Sequence, residues 1–214
     1  MSFVPPPADC ARCPRLLAFR TKHQTQFPDW HNAPVESFGG LASRLLIVGL
    51  APGLRGANRT GRPFTGDYAG DLLYATLLKF GFARGSYAAR PDDGLQLVDC
   101  RIANAVRCVP PENKPTPAEF AQCRSFLQSE IGAMPELRIV LALGKGAHDQ
   151  ILRALAIRPA VDFPFRHGRQ HMLTGGVALA DSYHCSRYNT NTGRLTPVMF
   201  ADVLDGIRTY LDKP

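Results

Sequence analysis

The sequence predicts an α/β protein: a single-domain three-layer α/β/α sandwich around a short, mostly parallel central sheet. Three observations carry this. Four short apolar runs stand at 44–49 (RLLIVG), 98–106 (VDCRIANAV), 138–143 (RIVLAL) and 177–183 (VALADSY). Stretches with helical spacing of apolar residues alternate with them, and one such stretch opens on a capping sequence. Near-continuous apolar runs suit strands covered by helices on both faces, and strand alternating with helix is the pattern of a parallel sheet.

The elements follow in order. The first run feeds GLAPGLRGANRTGRPFTGD at 49–67, which reads as a glycine-rich loop between strand and helix. Its helix covers 71–80, with Leu73, Leu77 and Phe80 on one side. Beyond the second run, Thr116-Pro117-Ala118-Glu119 forms a capping box with proline at the first helical position and starts a helix over 117–131. The third run leads into a helix over 146–156, and a last helix over 196–211 follows the fourth. Ligands of open parallel sheets collect beyond the carboxyl ends of the strands, where 49–67, 104–115 and 184–194 converge.

The chain of 214 residues is long enough for one sizeable core, so a single domain over 1–214 is expected, with 1–30 as a cysteine-containing leader. MSFVPPPADC has neither a basic start nor an apolar core, and no apolar run approaches a bilayer span. The expectation is a soluble cytoplasmic monomer with no membrane partner. The net charge is +7, and of the 25 basic residues only Lys22, Lys79, Lys114, Lys145 and Lys213 are lysine. An arginine-rich surface suits bidentate phosphate contacts, as on a nucleic-acid backbone, although ordinary solvated faces produce the same composition.

Glycine-rich loops often cradle phosphates, but this one has the wrong spacing. Gly49, Gly53 and Gly56 miss the dinucleotide fingerprint, and Gly61 is followed by Arg62 and Pro63 where a P-loop needs Lys and Ser or Thr. Asp67 at its end would repel a polyphosphate.

Cys10 and Cys13 form a C-x2-C pair, the tight chelating spacing. Cys123 lies on the capped helix between Phe120 and Leu127 and so faces inward, back towards Cys108 just past a strand end. The leader folding over would complete a four-thiolate site. Zinc and a [4Fe-4S] cluster both accept four thiolates, and spacing alone does not choose between them. Cys100 reads as strand packing, and Cys185 is left over.

GLAPG at 49–53, GANRTGRPFTGD at 56–67, IANAVRCVPPENKPTP at 102–117 and HCSRYNTNTGRLT at 184–196 together resemble the uracil-DNA glycosylase superfamily, most closely family 5, the type B enzymes. The likeness runs in order from the cysteine leader to the final helix. It implies an α/β/α fold, a structural [4Fe-4S] cluster on Cys10, Cys13, Cys108 and Cys123, and removal of uracil and other deaminated bases such as hypoxanthine and xanthine from DNA in base excision repair. Zinc remains the alternative metal. Phe64 matches the position that stacks on the flipped base, Asn104 the one that reads its edge, and Gly53 lets the backbone approach closely. Asp67 matches the carboxylate proposed to orient or activate water, and His184 the histidine that donates to the base carbonyl. Ser186, Arg187 and Asn189 would follow onto the DNA. Cys185 stands where proline is usual, and Tyr188 replaces a residue more often polar.

Taken singly, Phe64 reads as loop packing, Asn104 as a strand-end amide, Asp67 as a helix N-cap and His184 as a satisfied histidine. Their order and spacing together favour the site. Two other enzymes fit less well. A serine hydrolase from Asp181, Ser182 and His184 lacks the G-x-S-x-G elbow, and a Schiff-base lyase would need Lys145. The competing function is a non-catalytic iron-sulfur DNA-binding lesion sensor, motivated by the absence of a polar residue within GLAPG.

Overall fold

The computed structural model describes residues 3–213. In chain order the elements are α1 (Pro14–Gln26), β1 (Leu45–Gly49), α2 (Ala57–Thr60), α3 (Tyr68–Lys79), β2 (Ala83–Arg84), β3 (Gln96–Leu97), β4 (Cys100–Asn104), α4 (Pro117–Gly132), β5 (Ile139–Leu143), α5 (Lys145–Ala154), β6 (Gln170–Met172), β7 (Ala178–Ser182), α6 (Arg187–Asn191) and α7 (Pro197–Leu211). A five-stranded sheet has the order β4-β1-β5-β7-β6. Its first three pairings are parallel, and the β6–β7 pairing is antiparallel.

All four apolar runs become the parallel strands, each trimmed by one or two residues at its ends. Every residue of these strands is buried, because helices cover both sheet faces. Alternate side chains then enter different cores. Leu45 and Ile47 pack with α3 and α7, through Leu73, Leu77, Phe200 and Leu204. Leu46 and Val48 pack with α4 and α5, through Leu127, Ala147 and Ile151. The α/β/α layering follows directly.

Helix ends fall where the sequence marks them. The Thr116 hydroxyl accepts the Glu119 N–H at 3.3 Å while the Glu119 carboxylate accepts the Thr116 N–H at 2.8 Å, completing the capping box. Thr196 caps α7 by the same chemistry. Asp67 caps α3, which begins three residues before the apolar stripe that announces it.

The leader, for which the sequence predicts no particular element, contains α1. Arg15 grips Glu119 with two bonds of 2.7 Å, and Arg12 donates to the Ser125 hydroxyl at 2.9 Å, so α1 is strapped along α4. Behind them, Arg101 and Arg107 both bond the fully buried Glu130 carboxylate, fixing α4 to the end of β4. Breaking one partner of such a buried group leaves an uncompensated charge.

Candidate active site and cysteine cluster

The carboxyl ends of β1 and β4 and the loops after them enclose a cavity of about 630 Å³. Its wall includes Gly53, Phe64, Asp67, Asn104, His184, Ser186 and Arg187, so the three stretches expected to converge do so. Of the expected base- and DNA-contacting residues, Asn189 alone is off this wall. Its side-chain amide donates to the His184 carbonyl at 2.9 Å and so ties down the loop that carries the imidazole.

β1 and β4 are paired with Gly49 opposite Asn104. A Cβ on Gly49 would stand 2.5 Å from Asn104 Oδ1 and 2.5 Å from Phe64 Cζ. Only glycine lets these two side chains come together there. Asn104 is 2% exposed, and its Oδ1 has no hydrogen-bond partner among the described residues. A buried amide oxygen without a partner is costly and aims at something that fills the cavity.

Phe64 is buried with φ +53, a left-handed conformation that is unusual for an aromatic residue. Its ring lies 5.8 Å from that of His184, tilted by 35°. No hydrogen bond to the His184 ring occurs among the described residues, and burial pushes its pKa down to about 4. The imidazole is therefore neutral at physiological pH and holds one N–H donor.

Asp67 divides its carboxylate. Oδ1 caps α3, accepting the N–H groups of Ala69 at 3.2 Å and Gly70 at 3.4 Å. Oδ2 lies against the glycine loop, where a Cβ on Gly53 would meet it at 3.0 Å and one on Gly56 would overlap it. Burial holds its pKa above the ordinary carboxylate value against the two backbone bonds that lower it, and Asp71 adds repulsion.

Ser186 caps the short α6, accepting the Asn189 N–H. The Arg187 guanidinium sits 5.2 Å over the ring of Tyr68, so these two form part of the rim. Tyr68, Arg55 and Asn113 line the cavity and were not singled out from the sequence. Asn113 sits in a tight turn with φ +56, and PPENKP was a legible turn signal within a stretch expected at the site.

The competing constellations come apart. Asp181 bonds His148 Nδ1 at 2.7 Å, the Ser182 hydroxyl donates to a backbone carbonyl, and neither reaches His184. Lys145 pairs with Asp149 and is off the cavity wall.

Cys10, Cys13, Cys108 and Cys123 gather around a second, smaller cavity with Leu16 and Phe126. The backbone N–H of Arg107 donates to Cys123 Sγ at 3.3 Å. Burial, with the neighbouring cysteines acting in the same direction, raises Cys13 to about 11 and Cys108 to about 12. Cys100 and Cys185 are buried in the main core instead. Among the described residues, no three His, Cys, Asp or Glu side chains close tightly enough to hold a single metal ion.

The sequence model of one family, described as the uracil DNA glycosylase superfamily, matches residues 36–208. The chain is 44% identical to a type-5 uracil-DNA glycosylase of Thermus thermophilus over 95% of this chain and 94% of that protein. It is 40% identical to one of Pyrobaculum aerophilum, covering 94% and 89%. A third, from Mycobacterium leprae, is 42% identical over 91% and 88%.

Proposed function

The chain belongs to the uracil-DNA glycosylase superfamily, and from that premise we propose that it hydrolyses the N-glycosidic bond of uracil in DNA, leaving an abasic site for base excision repair. Other deaminated bases, hypoxanthine and xanthine, are included in the proposal. The observation that carries it is Asn104 Oδ1, unpartnered among the described residues and buried at the floor of a cavity walled by Phe64. A base in a duplex must leave the stack to reach such a pocket, where it is stacked and read along its edge. Uracil offers an N–H beside a carbonyl, and so does hypoxanthine. One asparagine amide, with an acceptor and donors side by side, reads both.

Cleavage of the C1′–N bond leaves positive charge on the sugar and negative charge on the departing base. His184, neutral and unpaired among the described residues, donates its N–H to the base carbonyl as that charge grows. Asp67 Oδ2 faces the sugar side, stabilises the cation and orients the attacking water. Its Oδ1 keeps the carboxylate fixed through the α3 cap. Ser186, Arg187 and Asn189 serve the DNA backbone, Asn189 also locking the His184 loop. A hydrolytic, monofunctional reaction is supported by the cavity wall, which among the described residues carries no lysine to form a Schiff base.

Cys10, Cys13, Cys108 and Cys123 would hold a [4Fe-4S] cluster. The fit rests on the donor set: among the described residues around this cavity stand four cysteines and no histidine, a ligand set that such a cluster takes. When bound, the group supplies structural cohesion, tying the leader 1–30 to β4 and α4, so that 1–214 acts as one domain. The protein works as a cytoplasmic monomer.

The test is chromatographic detection of the freed base from oligonucleotides bearing uracil or hypoxanthine. Release of the intact base is expected. Binding to these oligonucleotides without release would favour a lesion sensor instead.

A further inference from the structure

Between β2 and β3 the chain makes an excursion through residues 85–95, and its side chains return to the loop that carries Phe64. Tyr87 Oη donates to the Phe64 carbonyl at 3.3 Å and stands where a Cβ on Gly70 would overlap it. One hydroxyl therefore sits between the backbone that carries the stacking ring and the first turn of α3. The Tyr87 ring packs on that of Tyr74, centroids 4.6 Å apart, and Tyr74 Oη donates to the Pro63 carbonyl at 2.6 Å. Arg62 lies over both rings, donates to the Thr65 hydroxyl at 2.7 Å, and forks onto Asp93 with two bonds of 2.8 Å. Asp93 closes the excursion on itself by accepting the N–H groups of Ala88 and Leu95.

The turn needs such holding. Phe64 at φ +53 is in a conformation that relaxes unless its surroundings over-determine it, and Gly66 at φ +86 follows. The Phe64 carbonyl is pressed so closely on α3 that a Cβ on Gly70 would overlap it. Tyr74, Tyr87 and Asp93 are all off the cavity wall, so none touches the base.

We infer that Tyr87 is a positioning residue of the base-release site: by holding the Phe64 carbonyl at the first turn of α3 its hydroxyl sets the spacing between the stacking ring and the Asp67 carboxylate, and the Asp93–Arg62 pair holds the Tyr87 loop in place. The inference rests on the cavity being a base-release site.

Tyr87→Phe keeps the ring and removes the hydrogen bond. Two readouts are taken on the cluster-loaded full chain: amide hydrogen exchange at 64–67, and the single-turnover rate with DNA affinity on a uracil duplex. Exchange at 64–67 is expected to rise while α3 stays protected. The rate falls about tenfold with affinity within about twofold, the size of one lost hydrogen bond acting on the transition state. Asp93→Asn gives the same signature through the loop and carries the test should Tyr87→Phe fail to fold. Unchanged exchange at 64–67 overturns the hydroxyl's hold on the turn. Raised exchange with an unchanged rate overturns its bearing on catalysis. A wild type that releases no base refutes the function and with it the positioning role, while the exchange arm still reports whether the hydroxyl holds the turn.

Discussion

Oδ2 of Asp67 occupies the space that a side chain on Gly56 would need, while Oδ1 of the same carboxylate caps α3. The glycine loop is thus shaped around a carboxylate held rigidly at the cavity wall. Asp67→Asn keeps the capping oxygen but loses the charge. The single-turnover rate should fall about 10²- to 10³-fold, with a melting temperature close to wild type because asparagine caps as well as aspartate. A full rate in this variant removes Asp67 from the chemistry.

The pH profile follows from the same groups. Asp67 works ionised and its pKa is raised, so the rate falls on the acid side at a pH above the ordinary carboxylate value. His184 works neutral, and with its pKa down at about 4 it adds no break near the usual histidine value of about 6.5. Single-turnover rates across pH, with DNA saturating, should show an acid limb whose Asp67 component is lost in Asp67→Asn, leaving only the fall near pH 4 where His184 takes up a proton. A limb near 6.5 that is lost in His184→Ala would contradict the assignment.

His184→Ala should slow cleavage more than it weakens lesion binding, by about 10²-fold or more in rate. Parallel gel-shift and single-turnover measurements separate the two. The reverse outcome makes His184 a DNA contact only.

Gly49→Ala places a methyl group between Asn104 and Phe64. Overpacking there should cost about 1–3 kcal/mol of stability and close the base slot. Loss of base release with retained binding to undamaged duplex is the expected pair of results, read by chromatography and fluorescence anisotropy.

Cys108→Ser should strip the purified protein of iron and its visible absorbance, and lower its melting temperature. Cys100→Ser, in the β4 core, should retain the iron. Stoichiometric zinc in the wild type, measured by elemental analysis, would replace the cluster assignment.

The parallel strands and their helices were legible because burial on both faces writes itself as continuous apolar sequence, and Thr116 and Glu119 announce their helix locally. The helix α1 was not. In PRLLAFRTKHQTQ only Leu16, Arg20 and His23 are buried, so no apolar stripe marks it, and its stability comes from Arg15 reaching Glu119 across the chain. Strand β6 buries only His171 and sits at the sheet edge, which leaves an exposed, polar-looking run. In the site, motif order pointed to Asn104, Phe64, Asp67 and His184. The inward turn of Asn189 and the hydrogen bond from Tyr87 depend on contacts between loops that no local pattern encodes. Asp67 had two readings in the sequence, helix cap and reacting carboxylate. The structure gives the cap to Oδ1 and sets Oδ2 against Gly53 and Gly56.

End-labelled duplexes carrying a single uracil, incubated with iron-loaded protein in EDTA beside undamaged controls and analysed with and without hot alkali, report base removal itself. Strand breakage is expected only at the lesion and only after alkali, abolished or nearly so in Asp67→Asn. Intact strands after alkali, from protein that still binds the lesion, would contradict base removal by this protein.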